Sequence, residues 1–150
     1  MGIAIPGFVD LTRETVRIAP NISGWVDVPV ARLFAERTAL PVLIDNDANA
    51  AGWAEHRFGA GQGVSHMTML TIGTGVGGAI IANGELFTGG FGAGAELGHL
   101  RVEPNGLECG CGQRGCIEAY GSGRALLRYL REETGNPELD PDQGKKLLEI

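Results

Sequence analysis

The sequence lacks the features that mark membrane proteins and nucleic-acid-binding proteins. No apolar run approaches the roughly 18 residues that a transmembrane helix requires. The first residues show no charged region followed by a long apolar stretch, so we expect no signal peptide. Lys and Arg number 12 against 18 Asp and Glu, without any basic run, and the net charge is −6. This balance argues against a nucleic acid or a membrane as partner, and we expect a cytoplasmic protein.

Cysteine is scarce, and all 3 cysteines stand in one stretch, CGCGQRGC. An odd number cannot pair completely in disulfides within one chain, and a bridge between cysteines one residue apart would be strained. Clustered thiols in a reducing compartment more often hold a metal. Three thiolates and one imidazole complete a tetrahedral zinc shell with no open position for water. The pattern predicts a structural zinc on His99, Cys109, Cys111 and Cys116, with free thiols as the alternative.

Glycine is abundant, and the patterns around it indicate an α/β protein. Strands are predicted at 3–5, 42–44 and 66–73, a hairpin over 79–87 turning at Asn83-Gly84, and helices over 27–40, 48–58 and 122–135. Asp27 and Gly135 are the expected N-cap of the first helix and C-cap of the last. The apolar strand 42–44 is expected to be buried on both faces. We also expect the final residues, LLEI, to be helical.

The loop GTGVGG, residues 73–78, matches a dinucleotide-binding fingerprint literally. That fingerprint requires a helix to begin at the glycines, whereas this loop leads into the predicted hairpin. The context therefore argues against NAD. Two interpretations stay open: a turn that binds phosphate through backbone N–H groups, or a tight turn that needs glycine only for its shape.

Asp47 stands just beyond the predicted strand 42–44 and at the head of a predicted helix. Open α/β sheets place their ligands at this end of their strands. An aspartate there can also be a simple N-cap. The segment 45–49, Asp-Asn-Asp-Ala-Asn, holds more polar groups than capping needs, which favours a binding or catalytic role.

Five segments combine into a specific pattern: IPGFVD (5–10), IDNDANAAGWAEHRFGAG (44–61), TIGTGVGGAII (71–81), GAELGH (94–99) and CGCGQRGC with Ile117-Glu118. In order and spacing they resemble the ROK family of sugar kinases, most closely its bacterial, actinobacterial-type glucokinases. Ala95 departs from the pattern, since glucokinases often have Gly there. The resemblance implies an actin-like, ribonuclease H-like ATPase fold of two α/β domains, present in part, with a zinc-binding loop and the sugar in the cleft between the domains.

The resemblance also implies a domain boundary and a role for each matching residue. Residues 1–60 correspond to the C-terminal part of the small domain, and residues 61–150 to the N-terminal part of the large one. Asp47 matches the catalytic base, which takes the proton of the attacking hydroxyl. The sugar-binding positions match Gly7, Asn46, Asp47, Glu96, His99 and Glu118. The second phosphate loop matches Gly73, Thr74 and Gly75.

The implied reaction is ATP-dependent phosphorylation of glucose, or of a similar hexose, at the 6-hydroxyl. Mg²⁺ accompanies the ATP, Zn²⁺ is structural, and the full-length protein is expected to be a homo-oligomer, a dimer or a tetramer. Kinases of the family also carry an Asp-x-Gly-Gly-Thr-Lys loop and an adenosine-contacting segment, which this sequence lacks. We therefore expect a fragment or a truncated reading frame that is inactive alone.

Three alternatives stay open at this point. The chain could be the sugar-sensing, zinc-binding effector domain of a ROK-type transcriptional repressor. It could serve a kinase for fructose, mannose or an N-acetylhexosamine. It could also be a zinc-stabilised interaction module. Asp47 favours a kinase over a sensor, because a sensor needs to recognise hydroxyls but needs no base.

Overall fold

The computed structural model describes residues 1–140. The chain divides into two compact units, one of residues 1–70 with 78–96, the other of residues 71–77 with the described residues from 97 onward. No helix in the described part of the chain is long and apolar enough to cross a membrane. The domain boundary expected between residues 60 and 61 stays a prediction, and the expected helix at LLEI lies outside the described residues.

Strands and short helices alternate along the chain. The strands are β1 (Gly2–Ile5), β2 (Phe8–Val9), β3 (Val16–Ile18), β4 (Val26–Val28), β5 (Leu43–Asn46), β6 (Met67–Ile72), β7 (Val76–Ala82) and β8 (Glu85–Leu86). The helices are α1 (Val30–Thr38), α2 (Asp47–Phe58), α3 (Glu118–Gly121) and α4 (Gly123–Thr134), and a 3₁₀ turn covers Leu97–His99.

The first unit is organised around the parallel pair β1 and β5. Ile3 lies opposite Ile44, and Ile5 lies opposite Asn46, so the carboxyl ends of both strands meet at one edge. The unit's core contains Ile5, Val9, Val16, Val30 and Ile44, all of them buried. This pairing brings the Pro6-Gly7 turn beside the start of α2.

Gly7 is required at that turn by its close neighbours. A Cβ at residue 7 would lie 2.9 Å from the Cα of Ala19 and would meet the carbonyl oxygen of Ile18. Real Cβ atoms do not approach backbone atoms so closely, and the backbone there cannot move aside without disturbing β3. The glycine therefore lets β1 turn tightly against the neighbouring sheet.

The antiparallel sheet β2–β3–β4 was not predicted from the sequence. Its strands are only 2 or 3 residues long, too short to show an alternating pattern. Asp10 closes the turn between β2 and β3, because its Oδ1 accepts hydrogen bonds from the backbone N–H groups of Glu14 at 3.0 Å and Thr15 at 3.1 Å. Partial burial raises the pKa of Asp10, but these N–H groups, the Thr12 side chain and Arg17 together bring it below its ordinary value.

Two sequence predictions about α1 and β5 are wrong. Helix α1 begins at Val30 with Pro29 as its N-cap, and Asp27 lies in β4 with its carboxylate 2.9 Å from the Arg17 guanidinium. A residue before proline is disfavoured in helical conformation, so the helix cannot extend back to Asp27. Strand β5 is buried on one face only, since Ile44 is 0% exposed and Leu43 is 51% exposed.

The remaining predicted elements are confirmed within a residue or two at each end, except that β7 begins three residues before the predicted hairpin. Helix α2 runs to Phe58 with Gly59 as C-cap, and α4 is capped by Ser122 and by Gly135 in the left-handed conformation. Strands β6, β7 and β8 form one sheet in that order. Asn83 and Gly84 both have positive φ, 54° and 80°, as the tight β7–β8 hairpin requires.

Candidate functional site

The four predicted metal ligands lie together in the second unit. His99 ends the 3₁₀ turn, Cys109 and Cys111 stand on the loop that follows, and Cys116 lies just before α3. Their ligand atoms are all within 4.8 Å of one another. Nδ1 of His99 is 3.5 Å from Sγ of Cys109, and Sγ of Cys111 is 3.8 Å from Sγ of Cys116.

These distances fit a tetrahedral zinc shell. Zinc bonds thiolate sulfur at about 2.3 Å and imidazole nitrogen at about 2.0–2.1 Å, which puts neighbouring donors about 3.5–3.8 Å apart in a tetrahedron. Three sulfur donors exclude Mg²⁺ and Ca²⁺, which prefer oxygen. The residues present therefore fit the group that the sequence predicts, with four ligands and no open position.

The thiols differ in how readily they lose a proton. Burial raises the pKa of Cys116 to about 12 and also raises the pKa of Cys109. A hydrogen bond from the backbone N–H of Gln113 lowers the pKa of Cys111. A metal binds the thiolates, so its binding at this site must release protons.

Glycine gives the ligand loop its curvature. Gly112 and Gly115 have positive φ, 86° and 81°, and a Cβ at Gly115 would collide with the carbonyl oxygen of Glu103. The loop is closed across its base by an ion pair of 3.0 Å between Arg114 and Glu108. Only glycine adopts this conformation without strain, and the loop is thereby shaped to bring the cysteine sulfurs together.

The turn between β6 and β7, residues Gly73–Gly75, is held by its backbone. The carbonyl oxygens of Gly73 and Thr74 accept hydrogen bonds from the first N–H groups of α4, at 2.7 and 3.4 Å. Within the described residues, the N–H groups of Thr74 and Gly75 have no hydrogen-bond partner. No helix begins at these glycines, since a strand follows them, and the dinucleotide fingerprint lacks its structural context. Two adjacent free N–H groups suit an anion.

Asp47 is exposed at the first position of α2, and Asn46 is the N-cap. The Asn46 oxygen accepts a hydrogen bond from the N–H of Asn49 at 3.1 Å, and its nitrogen donates to the carbonyl oxygen of Gly7 at 3.1 Å. Within residues 1–140, the Asp47 carboxylate accepts only from the adjacent N–H of Ala48, at 2.9 Å. The interpretation of Asp47 as N-cap is therefore wrong, and its carboxylate is available for other chemistry.

Arg13 is a residue of this region that sequence reasoning missed. It lies in the β2–β3 turn with φ of 60°. Its guanidinium makes an ion pair of 2.8 Å with Asp45 and a hydrogen bond of 3.3 Å to the carbonyl oxygen of Ile44. These contacts hold the end of β5 next to Asn46. No spacing in the sequence pointed to them, because the partners are about 30 residues apart and meet only through the fold.

The other predicted sugar-binding residues divide between the two units. Glu96 belongs to the first unit and follows Ala95, whose φ is 61°. Such a conformation favours glycine, the residue that the resemblance led us to expect at this position. Glu118 opens α3 in the second unit. One of its carboxylate oxygens accepts from the N–H of Val76 at 2.9 Å, and the other lies 3.9 Å from Sγ of Cys109.

Comparison with known proteins gives one consistent family. The profile of the ROK family matches residues 1–148. The chain is 45% identical over 150 residues to the glucokinase of Streptomyces coelicolor, covering all of this chain and 46% of that one. It is 49% identical over 132 residues to the glucokinase of Thermotoga maritima, covering 88% of this chain and 42% of that one.

A transcription factor and a solved structure extend the comparison. The xylose repressor of Bacillus subtilis is 38% identical over 131 residues, which is 87% of this chain and 34% of the repressor. The crystal structure of a ROK family glucokinase from Streptomyces griseus, in complex with glucose and AMPPNP, is 51% identical with a TM-score of 0.80, covering 91% of this chain and 44% of that one.

The comparisons confirm the predicted fold class, an α/β fold of the actin-like ATPase type. The chain spans about half the length of the curated relatives it matches, 46% for the Streptomyces coelicolor protein. Nearly the whole sequence takes part in the match to the family profile. The chain belongs to the ROK family.

Proposed function

We propose that this chain supplies part of the machinery of an ATP-dependent glucokinase, which transfers the γ-phosphoryl group of ATP to the 6-hydroxyl of glucose. One observation carries the proposal: Asp47 presents an exposed carboxylate at the carboxyl end of β5 while Asn46 caps the helix. The identity of 45–49% to curated glucokinases supports it. The activity is of the phosphotransferase class, with an alcohol group as acceptor.

Asp47 is the proposed general base. The attacking hydroxyl must lose its proton as its oxygen bonds to the γ-phosphorus, and a carboxylate within hydrogen-bond reach accepts that proton. The bond between the γ-phosphorus and the bridging oxygen breaks, and ADP leaves with that oxygen. Within the described residues, the Asp47 carboxylate accepts one protein hydrogen bond, from the N–H of Ala48, so it keeps free acceptor capacity for the sugar.

The proposed hexose contacts are Gly7, Asn46, Asp47, Glu96, His99 and Glu118. Sugar hydroxyls both donate and accept, so carboxylates and amides bind them well. The Asn46 amide has a second hydrogen beyond the one given to Gly7. Because Nδ1 of His99 faces the cysteine sulfurs, a metal bound there leaves Nε2 protonated, and that N–H is the donor we propose for a hydroxyl.

The proposed phosphate contacts are the backbone groups of Gly73, Thr74 and Gly75. Free N–H groups at Thr74 and Gly75 support this role, and ATP arrives with Mg²⁺. Zn²⁺ on His99, Cys109, Cys111 and Cys116 supplies structural cross-linking of the ligand loop. We further propose a cytoplasmic, homo-oligomeric full-length protein.

A second candidate is the sugar-sensing effector domain of a repressor, favoured by the 38% identity to a xylose repressor. Fructose, mannose and N-acetylhexosamines stay as alternative substrates. A chimera tests the proposal. In the Streptomyces coelicolor glucokinase, the segment aligned with residues 1–150 is replaced by this chain, and ATP-dependent phosphorylation of each hexose is followed in a coupled assay.

We expect turnover with glucose at the highest kcat/KM among these sugars. The isolated 150-residue chain, for which no turnover is expected, serves as the blank. A folded chimera that contains zinc and binds glucose, yet phosphorylates none of the sugars, would favour the sensor. Faster turnover of another hexose would support the kinase activity but would show that glucose is not its preferred substrate.

A further inference from the structure

The first residue of β7, Val76, is contacted by both segments that carry metal ligands. Its N–H donates to Oε2 of Glu118 at 2.9 Å, and Glu118 stands two residues after Cys116. Its carbonyl oxygen lies against Gly98, which immediately precedes His99. Both polar backbone groups of Val76 therefore meet residues that lie within two positions of a predicted metal ligand. All of these residues belong to the second unit.

The contacts leave no room for side chains at two glycines. A Cβ at Gly75 would collide with Oε2 of Glu118, and a Cβ at Gly98 would collide with the carbonyl oxygen of Val76. Gly98 and Cys116 are buried. The other oxygen of Glu118 lies 3.9 Å from Sγ of Cys109, so one carboxyl group contacts both a metal ligand and the end of the glycine turn.

We propose that the metal centre is a clamp that fixes the conformation of the turn Gly73–Val76. A metal bound to His99 and Cys116 ties Gly98 and Glu118 into one rigid group around the backbone of Val76. Glu118 is then a positioning residue, which transmits metal binding to the turn. The proposed function enters only in the expectation that this turn binds phosphate. The link between the metal and the turn requires neither nucleotide nor sugar.

Backbone hydrogen bonds join the two ligand segments: the N–H of Ile117 donates to the carbonyl oxygen of Leu100 at 3.0 Å, and those of Val102 and Glu103 donate to the carbonyl oxygen of Gly115 at 2.8 and 3.2 Å. The ligand side chains themselves are held less firmly than a metal would hold them, because their contacts are sulfur contacts of 3.5–3.8 Å, which are weak hydrogen bonds. Metal–ligand bonds would remove openings of this region that those contacts permit. The expected effect is slower local opening, and the N–H of Val76 reports it directly.

The experiment measures amide hydrogen exchange by NMR on the full 150-residue chain, with zinc and after chelation. Val76 is the reporter, and Ile44 is the internal reference, because its N–H donates to the carbonyl oxygen of Arg13 within the first unit. Glu118→Ala removes the acceptor, and Glu118→Gln keeps an oxygen in its place. Glu133→Gln is the matched control, since Glu133 is exposed on α4 and its side chain has no hydrogen bond or ion pair within the described residues.

We expect zinc to slow exchange at Val76 by about tenfold relative to Ile44, the order of one hydrogen bond. Glu118→Ala should keep its zinc and lose that protection, Glu118→Gln should keep most of it, and the control should match the parent chain. The proposal is overturned if zinc leaves Val76 unchanged, if zinc-loaded Glu118→Ala remains protected, or if Glu118→Ala no longer binds zinc. If the chimera is inactive but Val76 is protected when zinc is bound, the proposed kinase function is rejected and the proposed clamp is kept.

Discussion

The side-chain nitrogen of Asn46 donates a hydrogen bond to the carbonyl oxygen of Gly7, over 3.1 Å. The same side chain accepts from the N–H of Asn49 and so caps α2. One amide thus joins the ends of two parallel strands to the start of a helix. Because Asn46 takes the structural role, the neighbouring carboxylate of Asp47 is left exposed at the strand end.

Asn46→Ala should lower the free energy of unfolding by about 1–3 kcal/mol, through loss of an N-cap and of a partly buried hydrogen bond. Asp47→Asn should lower it by no more than about 0.5 kcal/mol, the small effect of an acid in the first helical turn. Urea denaturation of both zinc-loaded variants gives the comparison. If Asp47→Asn lowered the free energy of unfolding as much as Asn46→Ala, Asp47 and not Asn46 would be the residue that caps α2.

The chain should bind one zinc ion, and replacing any ligand should lower metal content and thermal stability, because metal binding is coupled to folding. His99→Ala tests the imidazole, and His66→Ala is the matched control, since His66 is exposed and outside the cluster. Elemental analysis of protein prepared without chelator measures the stoichiometry. Protein that contains no zinc, or a His66→Ala variant as depleted as His99→Ala, would contradict the assignment.

Ala95→Gly should stabilise the protein by about 1 kcal/mol, because Ala95 has φ of 61° and a Cβ is unfavourable in that conformation. For a chain of this size the melting temperature should rise by about 2–4 °C. Ala93→Gly is the control: Ala93 is exposed without a positive φ, and glycine there should lower stability. A lower melting temperature for Ala95→Gly would show that Ala95 does not keep the left-handed conformation in the folded protein.

The cluster of candidate metal ligands could be predicted because its residues are near one another in sequence and include every cysteine. Helices α2 and α4 were predicted for a similar reason, since their apolar patterns and the glycine that ends each of them are local. Asp27 was wrongly predicted as the N-cap. Pro29 disfavours the helical conformation at Val28, and this restriction outweighed the preference of aspartate for the capping position. The bond from Val76 to Glu118 joins residues 42 apart, and no periodicity or spacing carries information on such a contact.

The most direct test of the account is the kcat for glucose of the chimera with Asp47 and with Asp47→Asn, with glucose binding measured separately. Asp27→Asn serves as the matched control, because Asp27 is an exposed aspartate paired with Arg17 away from the proposed chemistry. If Asp47 is the general base, Asp47→Asn lowers kcat by about 10²–10⁴, while glucose binding is largely kept and Asp27→Asn stays near the parent rate. Near-normal turnover of the Asp47→Asn chimera would contradict that role.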